Sequence, residues 1–214
     1  MTATVTVGLI DGAMEEDSPA LIGQHWIIEE TREGHGPAHA EALAQTIRYH
    51  ASSVRFINAV VFGGGLTCKR ADVIAAIDKL LEDPPRIIHC SFGLAESDDE
   101  LAAAFARAVK ACDAVVASVP ARGEKTFPAA YPGVIAVQGD ARCGPRELSY
   151  LATDRAGFGA HVVAVGNEIV RGSSAAAAHV TGKIAAMLAA GADIRDTLDT
   201  LRLTAAYVGP ERRS

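Results

Sequence analysis

Short apolar runs alternate along the chain with longer stretches of helical spacing. Residues 5–10, 54–62, 86–93, 114–119, 134–137 and 161–165 are apolar or β-branched and read as strands. Between them, Val73, Ile74, Ile77, Leu80 and Leu81 recur at helical intervals across residues 71–82, and Pro84-Pro85 closes that helix. Further helices are predicted over residues 37–49, 98–111, 175–190 and 193–206. Residues 13–34 read as a polar loop with one apolar piece at 25–28, and 138–160 alternate short apolar and turn pieces. Strands alternating with helices predict an α/β fold: a single-domain, doubly wound, mainly parallel sheet with helices on both faces.

Composition narrows this picture. The chain has 214 residues, 49% of them hydrophobic, which suits one well-buried core spanning residues 1–214. A net charge of −6 argues against nucleic-acid binding, which calls for a basic face. Cys68, Cys90, Cys112 and Cys143 are widely spaced with no CxxC pair, so free thiols are expected instead of a zinc site or disulfide framework. The N-terminus has no charged n-region and no long apolar run. No signal peptide, propeptide or membrane span is read, and a soluble, cytoplasmic protein is expected.

Three polar positions stand where α/β sheets build sites. Asp11 ends the first strand, before Gly12, where it serves either a turn or a site. His35 lies between Gly34 and Gly36, just before Pro37 opens a helix. His39, one turn in, has no evident partner and reads as a packed or surface histidine. Ser173 and Ser174 precede an alanine-rich helix, where a hydroxyl is either a cap or a nucleophile beside free N–H groups. A nucleophilic serine needs a base, and the base needs an acid to hold its tautomer. The order Asp, His, Ser is the one found in subtilisin.

The local sequences carry the resemblance further. Val7-Gly8-Leu9-Ile10-Asp11-Gly12 resembles the subtilase motif ending V-I-D-[ST]-G, and Gly34 to Ala40 resembles G-H-G-T-x-V-A. Gly172 to Gly182 resembles G-T-S-M-A-x-P-H-V-x-G, and Tyr131 to Val137 resembles Y-P-x-V-I-A-V. The resemblance implies a subtilisin-like serine endopeptidase with Asp11, His35 and Ser174 as catalytic triad, Ser173 being left as the cap. It implies that Ser91, Phe92 and Gly93 form one substrate-pairing edge and Gly63, Gly64 and Gly65 the other. A peptide or protein substrate would bind between them as an added strand. No cofactor, metal, nucleic-acid or membrane partner is implied, and the oligomeric state is left open. His50, His89 and His161 read as structural, and His179 as a helix-packing residue.

The departures bear on mechanism. The family's A-A-G-N stretch, whose Asn completes the oxyanion hole, falls on Ser118-Val119-Pro120-Ala121. Only the Ser174 backbone N–H is then expected in the hole, with Arg122 offered as a substitute donor or as a wall of the pocket before the cut. The short connection at residues 49–53 leaves no room for the calcium site many relatives carry there. A small chain of this kind suits a processing enzyme that removes a leader from one substrate. The alternative is a pseudoprotease that keeps the groove as a peptide-binding module, motivated by Ala121. A nucleotide-binding reading of the Gly63 run lacks the phosphate-loop spacings.

Overall fold

A computed structural model describes residues 3–29, 36–65, 67–120 and 122–211. The strands are β1 (Thr6–Asp11), β2 (Leu21–Trp26), β3 (Arg55–Val60), β4 (Ile87–Cys90), β5 (Ala114–Ser118), β6 (Val134–Gly139), β7 (Leu148–Tyr150), β8 (Phe158–Ala160), β9 (Val163–Ala164), β10 (Asn167–Arg171) and β11 (Tyr207–Val208). The helices are α1 (Gly36–His50), α2 (Arg70–Leu80), α3 (Asp99–Ala111), α4 (Ser173–Ala189) and α5 (Ile194–Leu203). Nine strands form one sheet in the order β11-β7-β8-β6-β5-β4-β1-β3-β2. Every neighbouring pair is parallel except β7 with β8.

The central strands are buried on both faces, which is why they read as near-continuous apolar runs. Val7 and Leu9 of β1 join the core beneath α1, α4 and α5, while Ile10 turns to the core beneath α2 and α3. This two-residue alternation places helices on both sides of the sheet, the doubly wound α/β arrangement that the pattern predicted. Helix α4 is apolar around its whole circumference and lies inside the molecule, with Ala175 to Ala178 fully buried. Its small residues let it approach α1 closely. At Gly182 even a Cβ would come within 2.6 Å of the Ile47 carbonyl on α1.

Several elements differ from the sequence reading, which gave no strand at 207–208, where β11 joins the edge of the main sheet. Residues 21–26 are not loop: they form edge strand β2 beside β3, with a register shift between Leu21 and Gly23. The polar stretch Gly23-Gln24-His25 conceals that strand, because an edge strand needs no continuous apolar run. The strand expected at 161–165 divides in two. Strand β8 ends in the main sheet at Ala160, and β9 turns back at Gly166 onto β10 as a separate two-stranded hairpin. Among the described residues no helix is long and apolar enough to cross a membrane.

Candidate active site

The strand order changes direction at β1 and β4, and their carboxyl ends flank the crevice where open α/β sheets bind ligands. Asp11 closes β1 there and is fully buried. Its Oδ1 accepts the backbone N–H of Gly12 at 2.8 Å, and its Oδ2 accepts the hydroxyl of Ser91, the residue after β4. The Gly12 carbonyl in turn accepts Asn58 Nδ2 at 2.9 Å, and the same amide reaches Gln24 Oε1 at 2.8 Å. Three strands therefore hold one carboxylate turn. Asn58 and Gln24 do this without any motif that a sequence reading recognises, and Ser91, expected only as part of a substrate-pairing edge, takes on this second role.

The imidazole facing Asp11 is His39. Its Nδ1 lies 2.8 Å from Asp11 Oδ1 and donates to it, which leaves Nε2 as the acceptor nitrogen of the neutral ring, and His39 lines a cavity. His35, the histidine expected there, lies outside the described residues. The reading of His39 as a merely packed or surface side chain is corrected: it is half-buried on the first turns of α1 and paired with a buried acid. A signal was present. The family pattern H-G-T-x-V-A also fits one helical turn later, over His39-Ala40-Glu41-Ala42-Leu43-Ala44, where Leu43 and Ala44 fill the V-A places and are buried. The two histidines are four positions apart in the sequence, and the motif fits from either of them. Burial opposes protonation of His39, but the hydrogen bond and the charge of Asp11 outweigh it and raise its pKa above the ordinary histidine value.

Ser174 is the second residue of α4. The residue before the helix is Gly172, at φ 91°, a left-handed conformation that glycine adopts without cost. This corrects the expectation that Ser173 caps the helix: Gly172 holds the cap position, with no side-chain capping bond, and Ser173 is the first helical residue. The first intrahelical bond runs from Ala176 N to the Gly172 carbonyl at 3.1 Å. The N–H groups of residues 173–175 thus have no acceptor within the helix and sit at the positive end of its dipole. Ser174 Oγ donates to the Ser91 carbonyl at 2.9 Å. Ser91 therefore touches both ends of the constellation, its hydroxyl on Asp11 and its carbonyl on Ser174.

His39 and Ser174 stand between two cavities. The first, about 290 Å3, is lined by Ser91, Phe92 and Gly93 on one side and by Phe62, Thr67 and Cys68 on the other. The expected edge at 91–93 is brought to the pair. Of the glycine run, Gly65 instead lines the second cavity, of about 510 Å3, with Ala38 and residues of β10; Gly63 and Gly64 line neither. Ala121 lies outside the described residues, and Arg122 is exposed and lines neither cavity. Arg155 donates to the carbonyls of Pro120 at 2.8 Å, Glu124 at 3.4 Å, and Gly123.

Other histidines tie the frame together. His89 Nδ1 meets Thr181 Oγ1 at 2.8 Å, joining β4 to α4. His179 Nε2 lies 3.0 Å from the Val163 carbonyl, so that nitrogen carries a hydrogen and Nδ1 accepts from His50 Nε2 at 2.9 Å. This bond joins α1 to α4. Burial, joined by the charge of Lys183, lowers the pKa of His50 to about 3 and of His179 to about 4.

Known structures share this architecture. A cold-adapted subtilisin-like serine proteinase superposes with TM-score 0.72 at 16% identity, covering 94% of this chain and 84% of that one. The S218A mutant of the protease domain of PatA gives TM-score 0.65 at 20% identity, over 87% and 79% of the two chains. The prenylagaramide maturation protease PagA gives TM-score 0.61 at 21% identity, over 86% and 74%. No curated protein sequence matches closely enough to count as a relative. The Subtilase family profile matches residues 11–206, almost the whole of the chain from the buried aspartate to the last helix, and the chain belongs to that family of serine endopeptidases.

Proposed function

We propose that the chain cleaves peptide bonds with Asp11, His39 and Ser174 as its triad, His39 taking the role first expected of His35. The observation that carries this reading is the 2.8 Å bond between His39 and buried Asp11, with His39 and Ser174 lining the same cavities. A substrate lies extended along residues 91–93 and offers a backbone N–H to the Ser91 carbonyl. That N–H takes the place of the Ser174 hydroxyl, which turns to His39 Nε2. His39 accepts the serine proton as Oγ attacks the scissile carbonyl. Asp11 holds the tautomer and stabilises the imidazolium. The Ser174 backbone N–H at the start of α4 stabilises the oxyanion. His39 then delivers its proton to the departing amine, and a water activated by the same imidazole releases the acyl group.

The substrate in this reading is one dedicated precursor, cut to remove its leader. The suggested one is the small, internally cross-linked subunit of quinohemoprotein amine dehydrogenase. Size and motif style support it, as does the fold shared with a protease described by its maturation role. Labelling with a serine-directed fluorophosphonate tests the chemistry. Labelling should vanish in Ser174→Ala, fall by roughly 10⁴-fold or more in His39→Ala, and persist in His35→Ala. Peptide binding without labelling identifies a pseudoprotease instead, and loss in His35→Ala with retention in His39→Ala returns the base to His35. Incubation with the leader-bearing subunit tests the substrate: a single cut at the leader boundary supports it, and an intact precursor beside a labelled enzyme refutes it.

A further inference from the structure

We infer that this site selects substrates with a bulky aliphatic or aromatic side chain directly after the cleaved bond, and that Ile169 is the residue that selects it. The inference rests on the proposed roles of His39 and Ser174. The two cavities share those two residues and no others. With the substrate before the cut running along residues 91–93, the second cavity lies across the reacting pair and receives the residues after the cut. Its volume of about 510 Å3 lies within the ordinary range of ligand pockets, roughly 300–1,000 Å3.

The wall of that cavity is built to present an apolar side chain. Ile169 is 91% exposed, the most exposed large hydrophobic residue among those described. Single exposed apolar residues are common, but this one lines the cavity of the reacting pair. Along β10, Asn167 pairs with Ala164 and Arg171 with Val163, so residues 168–170 bulge out of the ladder. Bulges beside active sites re-aim side chains. This one is fastened at both ends: Asn167 Oδ1 accepts the Ile169 N–H at 3.0 Å, and Arg171 Nε donates to the Glu168 carbonyl at 2.5 Å. The Arg171 guanidinium is thereby turned back along its own strand, with its other end 3.8 Å from the Glu168 carboxylate. Val170 and Ala38 add further apolar wall. A charged side chain entering here meets on β10 only Glu168 and Arg171, which face each other, whereas a leucine or phenylalanine covers Ile169 and shields it from water.

The test is digestion of a mixture of synthetic peptides of randomised sequence, with products sequenced by mass spectrometry. Wild-type enzyme should favour Leu, Ile, Phe or Met after the cut over Ser, Asp or Lys by roughly tenfold or more. Ile169→Ser should remove most of that preference, and Ile169→Asp should shift it toward Lys and Arg. Ile169 is exposed, so both variants keep the fold, which an unchanged thermal melt checks. Cuts made without regard to the next residue, a preference unchanged by Ile169→Asp, or no cuts by a labelled enzyme overturn the inference while leaving the peptidase reading standing. A wild-type protein that takes no label overturns the peptidase reading and the inference with it.

Discussion

Replacing Asp11 by Asn removes one charge and little volume, and the geometry specifies the consequence. Asp11 Oδ1 accepts from both His39 and the Gly12 N–H, while Oδ2 faces the Ser91 hydroxyl. An Asn side chain satisfies these partners in one orientation: its oxygen takes the Oδ1 place and its NH₂ faces Ser91, whose hydroxyl can turn and accept. The tautomer of His39 is therefore kept, and the loss is the charge that stabilises the imidazolium. At the observed 2.8 Å and an effective dielectric constant of about 20, that interaction is of order 6 kcal/mol, or about 10⁴ in rate. Subtilisin loses a similar factor, roughly 3 × 10⁴ in kcat, when its aspartate alone is removed.

The pH profile supplies an independent reading. In the wild type, burial opposes protonation of His39, but the Asp11 hydrogen bond and charge raise its pKa above 6.5. The base is neutral only above that raised value, so the acid limb of kcat/KM lies above pH 6.5. In Asp11→Asn the burial effect stands unopposed by a charge, and the limb moves to lower pH. The assay is kcat/KM on a cleaved peptide from pH 5 to 9 for both proteins. A loss smaller than about tenfold, or an acid limb that does not move, refutes the assignment of Asp11 and His39 as partners.

Three other outcomes are expected. Ala121→Asn restores the amide that the family motif carries there, and kcat should rise by about 10- to 100-fold in steady-state hydrolysis; no gain means that this position faces away from the oxyanion. Gly182→Ala places a Cβ 2.6 Å from the Ile47 carbonyl, so α1 and α4 must part, at about 1–3 kcal/mol. Thermal denaturation should show a fall in Tm of roughly 2–12 °C, and an unchanged Tm contradicts the close contact. His50 and His179 hold folded pKa values of about 3 and 4, below the unfolded 6.5, so the unfolded state takes up their protons first. Their contribution should be level above pH 6.5 and fall as the pH drops toward 4, read as a urea midpoint that declines over that acid range, and the decline should lessen in His50→Gln.

Much of the frame was legible because buried parallel strands and amphipathic helices write their period into the chain. Val7, Leu9 and Ile10 could only serve a strand buried on both faces, and Val73, Ile77 and Leu80 could only serve one face of a helix. Strand β2 was not legible: an edge strand takes its hydrogen bonds from β3 and needs no apolar run of its own. The bulge in β10 was hidden for a related reason, since its shape comes from local bonds to Asn167 and Arg171 and not from a repeating pattern.

The sequence by itself determined the α/β architecture, the family and two of the three residues proposed for the triad. Asp11 and Ser174 sit at a strand end and a helix start, places that the local pattern marks and the resemblance to the family motifs assigns. The choice between His35 and His39 was beyond it, because the two lie four positions apart and the motif fits from either. The role proposed for His39 rests on tertiary structure, on the reach of a carboxylate on β1 to a side chain on α1. The support of Asp11 by Ser91, Asn58 and Gln24 was likewise a tertiary matter. Those residues are 80, 47 and 13 positions away along the chain, and only the sheet order brings them to one carboxylate turn.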